Sequence, residues 1–323
     1  MKKLFLEDIW NEAIDAAQSQ REVKPRQHIW SSEIGKSFYD RYLKMTGVQP
    51  TEVKESRVLR KFAAGIIFEE LVGKMLGQIG FLKSSQEYIT IPATDKTLEV
   101  TGKIDYIAGM EDWTEAKQRI EEFHQTNDTG SLTISQKIAI NLVEKLSQQY
   151  PEGFENTPLE IKSVNSMLFW AKKDYLDEAY PFHIFQLFTY LKAKQLPEGR
   201  IDYISKDDMT IKEITVKLSD KEIEEKWQKD VETMTHYIKN SQKPPKPDFV
   251  IFDPRGKVKF QRKKVKYETK GEWKANWEIK WSDYFRLITG TRNVEEWEQS
   301  LKSEIKRKND ELKEKFIEDN NIK

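Results

Sequence analysis

The chain has no cysteine in its 323 residues. Disulfides, thiolate zinc sites, cysteine-ligated iron–sulfur clusters and a cysteine nucleophile are excluded together. Histidine is scarce, and the four residues His28, His124, His183 and His236 show no metal-ligand spacing. A surface or internally satisfied role is expected for each except His183, so a metal site has to be built mainly from oxygen. No apolar run reaches the roughly 18 residues of a membrane span, and the opening Met1–Leu6 is interrupted at once by Glu7 and Asp8. Neither a span nor a signal peptide is expected, and a cytoplasmic protein is. An excess of one charge is also missing: 54 Lys and Arg balance 54 Asp and Glu, which removes any global argument for nucleic-acid binding. Gly35-Lys36-Ser37 has Trp30 where a phosphate-binding loop needs its upstream glycine, so ATP hydrolysis is not expected.

What is present is a foldable apolar fraction of 37%, enough for one large domain or a domain with appendages. Apolar spacing at Leu4, Ile9, Ile14 and Ala17 predicts a first helix closed by Pro25. Ser31-Ser32-Glu33 reads as the cap of a helix running to Met45, and Arg57 to Ile79 as a long helix with a wide apolar stripe. After Gly80 the pattern becomes strand-like at Glu87–Pro92, Leu98–Val100 and Gly102–Ile107. Glu111 to Pro158 is helical and charged; beyond it come a short apolar strand at Leu159–Val164, a helix at Tyr180–Lys194, and strands at Arg200–Ser205 and Ile211–Leu218. This succession predicts an α/β fold. The expected division is a helical N-terminal region (1–50), a core (51–242) with a helical insertion at about 111–158, and a C-terminal section (243–323) opened by the proline-rich 243–247. Helices at Glu222–Ile238 and Val294–Ile317 are strongly charged.

Three separated segments carry chemistry: Gly65-Ile-Ile-Phe-Glu69, Gly102-Lys-Ile-Asp105, and Leu159-Glu160-Ile161-Lys162. In a strand, residues two apart share a face, so Glu160 and Lys162 would point together while Ile161 packs behind. Glu115-Ala-Lys117, Glu278-Ile-Lys280 and Glu304-Ile-Lys306 repeat the spacing, but only Glu160 sits in a short apolar strand after a proline. Asp105, flanked by apolar neighbours, is costly to bury unless it meets a cation or a donor. Its alternatives are a hydrated strand end or a pair with Lys103 or Lys162. Carboxylates with a lysine can hold hard divalent cations and set water against a phosphodiester.

These residues resemble the PD-(D/E)xK nuclease superfamily, specifically its RecB-like exonucleases of CRISPR-associated and phage type. Gly65 and Glu69 match the helix motif, Asp105 the second acid, Glu160 and Lys162 the (D/E)xK pair, and Gln186 and Tyr190 a following Q-x-x-x-Y helix. The match runs from about Ser31 to Leu218. It implies a restriction-endonuclease-like αβββαβ core, with Mg²⁺ or Mn²⁺ held by Glu69, Asp105 and Glu160 and by the Ile161 carbonyl. It also makes Lys162 the residue that orients or deprotonates the attacking water. His183, Gln186 and Tyr190 share one helix face, where they would touch the DNA strand or support Lys162; for Tyr190 a core aromatic is the equal alternative. Two departures stand out. The stretch between Asp105 and Glu160 is longer than the hairpin usual in the family, and the four cysteines of many relatives are missing, so no iron–sulfur cluster is expected. Packing of residues such as Trp277 and Trp281 would replace that staple.

Between Pro254 and Trp281 ten Lys or Arg face three Glu, interleaved with Phe260, Tyr267, Trp273, Trp277 and Trp281. Cations beside stacking rings suit a nucleic-acid groove, and a twisted β-hairpin with buried aromatics and a solvated basic face suits the same pattern. The expected activity is a metal-dependent DNA exonuclease of recombination, repair or phage DNA metabolism. A structure- or sequence-specific endonuclease and a non-catalytic DNA-binding scaffold are the competing readings. DNA is the expected partner, with a helicase or recombinase recruited through the charged C-terminal helix, and no membrane.

Overall fold

Segments that alternate in burial form one mixed sheet, and the helices that cover it follow from their apolar stripes. The computed structural model describes residues 10–13, 16, 22–52, 54–126, 134–165, 178–262 and 264–322. Leu4, Ile9, Ile14 and Ala17, the basis of the first predicted helix, lie outside them. Two units are distinguished: Gln27–Gly35 with Arg57–Thr235, and Met1–Arg26 with Lys36–Ser56 and His236–Lys323. Residues that the sequence divides between an N-terminal region and a C-terminal section thus fall in one unit.

The first unit holds β1 (His28–Trp30), α2 (Ser56–Gln78), β2 (Leu82–Ile91), β3 (Glu99–Met110), α3 (Thr114–Thr126), α4 (Ile134–Gln149), β4 (Phe154–Val164), α5 (Pro181–Lys194), β5 (Glu198–Ser205), β6 (Ile211–Lys217) and most of α6 (Lys221–Lys239). The strand order is β1-β3-β4-β5-β6, with β2 also on β3. β1 runs parallel to β3 and β4 parallel to β5, and the other pairs are antiparallel. This is a mixed α/β unit. The two short strands predicted at Leu98–Val100 and Gly102–Ile107 are one strand, because Thr101 and Gly102 continue the pairing with β2. Gly102 permits this: a Cβ there would stand 2.4 Å from the Ser31 Oγ and 3.0 Å from the Tyr190 ring. α5 starts with Pro181 at its first turn and stops where Gln195 turns left-handed at φ 54°.

In the second unit, α1 (Phe38–Met45) is capped by Ser37, whose side chain accepts from the Asp40 N–H. The predicted cap at Ser31–Glu33 is instead a separate 3₁₀ turn. Strands β7 (Val250–Asp253) and β10 (Glu272–Ala275) pair, as do β8 (Lys259–Arg262) and β9 (Val265–Glu268). They are joined by α7 (Trp277–Lys280), α8 (Phe285–Thr289) and α9 (Val294–Asp319). Tyr39 and Leu43 of α1 pack with Ile279, Tyr284, Phe285, Ile288, Trp297 and Leu301. Trp277 and Trp281 are 39% and 59% exposed. The expectation that these two tryptophans replace a cysteine staple is therefore corrected: aliphatic and aromatic residues of α1, β7, α7, α8 and α9 make that core. Among the described residues no helix is long and apolar enough to cross a membrane.

Candidate functional site

Alternation along β4 sets the chemistry. Leu159 and Ile161 turn to one face, packing with Tyr106, Ile204 and the α2 side chains Phe68, Val72 and Leu76, so Glu160 and Lys162 turn to the other. Glu160 is fully buried, and one of its carboxylate oxygens accepts from the Lys162 ammonium. The other, Oε2, is buried without a hydrogen-bond partner. Glu115, Glu278 and Glu304, which repeat the Glu-x-Lys spacing, all lie on helices, where residues two apart diverge.

Strand pairing then opens a gap beside Glu160. One edge of β3 is taken by β2 from Val100 to Ala108. The opposite edge carries β1 at Glu99–Thr101 and β4 at Tyr106–Met110, which leaves Gly102 to Asp105 unpaired between them. Asp105 stands at this fork, where its Oδ2 accepts the Ile161 N–H at 2.9 Å. A residue's N–H and C=O leave a strand toward the same edge, so the Ile161 carbonyl faces the fork as well. Burial, and after it the Glu160 charge, pushes the Asp105 carboxyl up to about 8 against the opposing pull of Lys162 and the Ile161 N–H.

Helix α2 brings the third acid. Gly65 lets the helix approach β4, since a Cβ there would lie 3.3 Å from the Ser163 Oγ. One turn on, the Glu69 backbone carbonyl accepts the Tyr106 hydroxyl at 2.9 Å. The Glu69 carboxylate accepts from the Gln86 amide; burial raises it, and it also feels the charges of Lys162, Glu160 and Lys103. Burial works against the Lys162 ammonium, but Glu160, Asp105 and Glu69 together hold its pKa above the ordinary lysine value. Residues from α2, β3 and β4, separated by up to 93 positions between Glu69 and Lys162, thus share one electrostatic environment.

Among the described residues no group of three His, Asp or Glu side chains stands close enough together to hold a metal ion. Each acid is turned to a protein donor: Glu160 to Lys162, Asp105 to the Ile161 N–H, Glu69 to Gln86. The donor set nevertheless fits a hard cation. Glu160 pairs with the Lys162 ammonium and the charges of Asp105 and Glu69 act on it as well, Asp105 is destabilised as an anion, and a buried Glu160 oxygen lacks a partner that an oxygen-seeking cation would supply.

On α5 the residues expected to touch DNA or support Lys162 find partners within the protein. Tyr190 is fully buried; its hydroxyl donates to the Lys103 carbonyl at 2.8 Å and accepts from the Gln186 amide at 2.7 Å. It fills the open edge of β3, ties α5 to the sheet, and has its phenol raised well above the ordinary value by burial. Gln186 is buried too, at 8% exposure. His183 lies 2.7 Å from the Tyr203 hydroxyl and anchors the start of α5 to β5. Tyr190→Phe should therefore cost about 1–3 kcal/mol of stability, because the Lys103 carbonyl and the Gln186 amide lose a buried partner. Urea unfolding reads this as a lower midpoint; an unchanged midpoint with weakened DNA binding would restore the substrate role.

Sequence reasoning missed Gln86. Nothing in its local pattern marks it, since it acts only through Glu69, a residue on another element. In the basic aromatic segment, Phe260 and Tyr267 stack on each other at 5.5 Å, with Phe316 edge-on to Phe260. Trp273 lies under the Lys308 ammonium. Phe260, Tyr267 and Trp273 of the segment are thus engaged with their own unit, while Lys259, Arg262, Lys264 and Lys266 are exposed.

No family model matches the sequence. No curated protein matches it either. Among solved structures, the crystal structure of SSO0001 is similar with a TM-score of 0.38 and 17% identity, covering 74% of this chain and 88% of that one.

Proposed function

We propose that the chain is a divalent-metal-dependent deoxyribonuclease, an exonuclease acting on linear or single-stranded DNA, built on an αβββαβ core of PD-(D/E)xK type. The observation that carries this reading is that Asp105 accepts the Ile161 N–H at the fork between β3 and β4 while Glu160 and Lys162 pair beside it, with Glu69 of α2 acting on the same lysine by its charge. The order α2-β2-β3-β4-α5-β5 supports the core assignment, with α3 and α4 inserted between β3 and β4.

Glu69, Asp105, Glu160 and the Ile161 carbonyl are the groups that would hold Mg²⁺ or Mn²⁺. Such a cation supplies Lewis acidity, easing both the ionisation of water and the build-up of charge on phosphate. Lys162 is held protonated by its three acidic neighbours, which favours a charge-offsetting role over proton abstraction. Water attacks phosphorus in line, the P–O bond to the leaving oxygen breaks, and no covalent enzyme intermediate is needed.

The test uses end-labelled linear and covalently closed circular DNA, single and double stranded, with Mg²⁺, Mn²⁺ or EDTA. Metal-dependent loss of linear DNA with intact circles is expected, and nicked circles would replace the exonuclease with an endonuclease. Retained binding without cleavage would leave a non-catalytic DNA-binding protein.

A further inference from the structure

Gln86 lies inside β2 with φ at 53°, the left-handed region that a residue with a side chain occupies only when its surroundings impose it. The pairs Ser85↔Tyr106 and Glu87↔Ile104 place it directly across from Asp105. The turned backbone delivers its amide to the Glu69 carboxylate. Both flanks are pinned: the Glu87 carboxylate accepts the Ser84 hydroxyl at 2.9 Å and pairs with Lys194 of α5, and the Tyr106 hydroxyl holds the Glu69 carbonyl.

Glycine or asparagine would satisfy that backbone at lower cost. What they lack is reach, because the longer amide is what spans from β2 to α2.

We infer that Gln86 is a positioning residue: its amide fixes the Glu69 carboxylate beside Asp105, so that a divalent cation meets acids already set in place. This rests on the metal-dependent reading above. An amide on one Glu69 oxygen leaves the other for the cation, and it restrains a half-buried glutamate that would otherwise sample several rotamers. Groups that orient a metal ligand in this way typically govern affinity by about ten- to one hundredfold.

Mn²⁺ titration of the full-length protein by electron paramagnetic resonance separates this role from a merely structural one, using Gln86→Gly and Gln86→Asn. Glycine removes the backbone strain together with the amide, and asparagine keeps an amide that is too short. The expected result is Mn²⁺ affinity weakened about ten- to one hundredfold in both variants. Thermal midpoints should equal or exceed that of the wild type, and cleavage should recover at saturating Mn²⁺. Unchanged affinity in the variants would overturn the inference, as would weaker affinity accompanied by a lower midpoint in both. A wild-type protein that neither binds Mn²⁺ nor cleaves DNA would overturn the metal-dependent reading itself, and that outcome is visible before any variant is compared.

Discussion

Glu160→Gln is expected to lower metal-dependent cleavage by about 10³-fold or more while the protein stays folded. The carboxamide keeps the shape of a side chain that is fully buried, removes its charge and exchanges one acceptor oxygen for an amide donor. Lys162, 26% exposed at its side chain, still faces Asp105 and Glu69, so the fold loses little. Lys162→Met should be the opposite case. It leaves Glu160 buried without its cation, and breaking a buried pair from one side costs about 3–5 kcal/mol. Both variants should be inactive, but only Lys162→Met should unfold at clearly lower urea. Cleavage by Glu160→Gln within tenfold of wild type would remove Glu160 from the chemistry.

The second large effect is a linkage between pH and metal. Asp105 is raised from an ordinary 3.8 to about 8, first by burial and then by Glu160. Between those values the folded chain keeps a proton that the unfolded chain has released. Metal-free stability should therefore fall as pH rises through this window, at up to about 1.4 kcal/mol per unit, and level off above about 8. A divalent cation favours the ionised carboxylate, so Mn²⁺ should raise the urea midpoint more at pH 8 than at pH 6. Saturation at one hundred times the dissociation constant is worth about 2.7 kcal/mol. Glu160→Gln should bring the upper end of this window to lower pH, since it removes the like charge acting on Asp105 while burial remains. An equal Mn²⁺ increment at both pH values would mean that Asp105 does not meet the cation.

Placing these acids relied on different kinds of information. The Glu160-Ile161-Lys162 alternation was legible because strand periodicity is local: an apolar residue between two charged ones in a short apolar run has one face to bury. The long α2, and α5 with Pro181 at its first turn, were legible for the same reason. The Asp105 environment was only half legible. Its apolar neighbours announced an awkward carboxylate, but the Ile161 N–H that meets it lies 56 residues away. The charged stretch from Glu111 to Pro158 read as mostly helical, yet β4 begins at Phe154 because Phe154 pairs with Met110 on β3.

By itself, then, the sequence determined the α/β class and the exclusion of cysteine chemistry, which follow from composition and short-range periodicity, while Glu69, Asp105, Glu160 and Lys162 became candidates as a set through the resemblance of their motifs to a known family. Only the tertiary structure decided that Asp105 meets the Ile161 N–H at the fork between β3 and β4, that Tyr190 is a buried clamp and not a surface ring, and that Trp277 and Trp281 stay exposed. It alone placed Gln86 across from Asp105. The physical reason is that each of these facts depends on residues remote in sequence: the sheet contacts follow strand register, which is fixed by burial over the whole sheet rather than by the neighbours of any one residue, and the helix contacts follow how α5 and α7 pack.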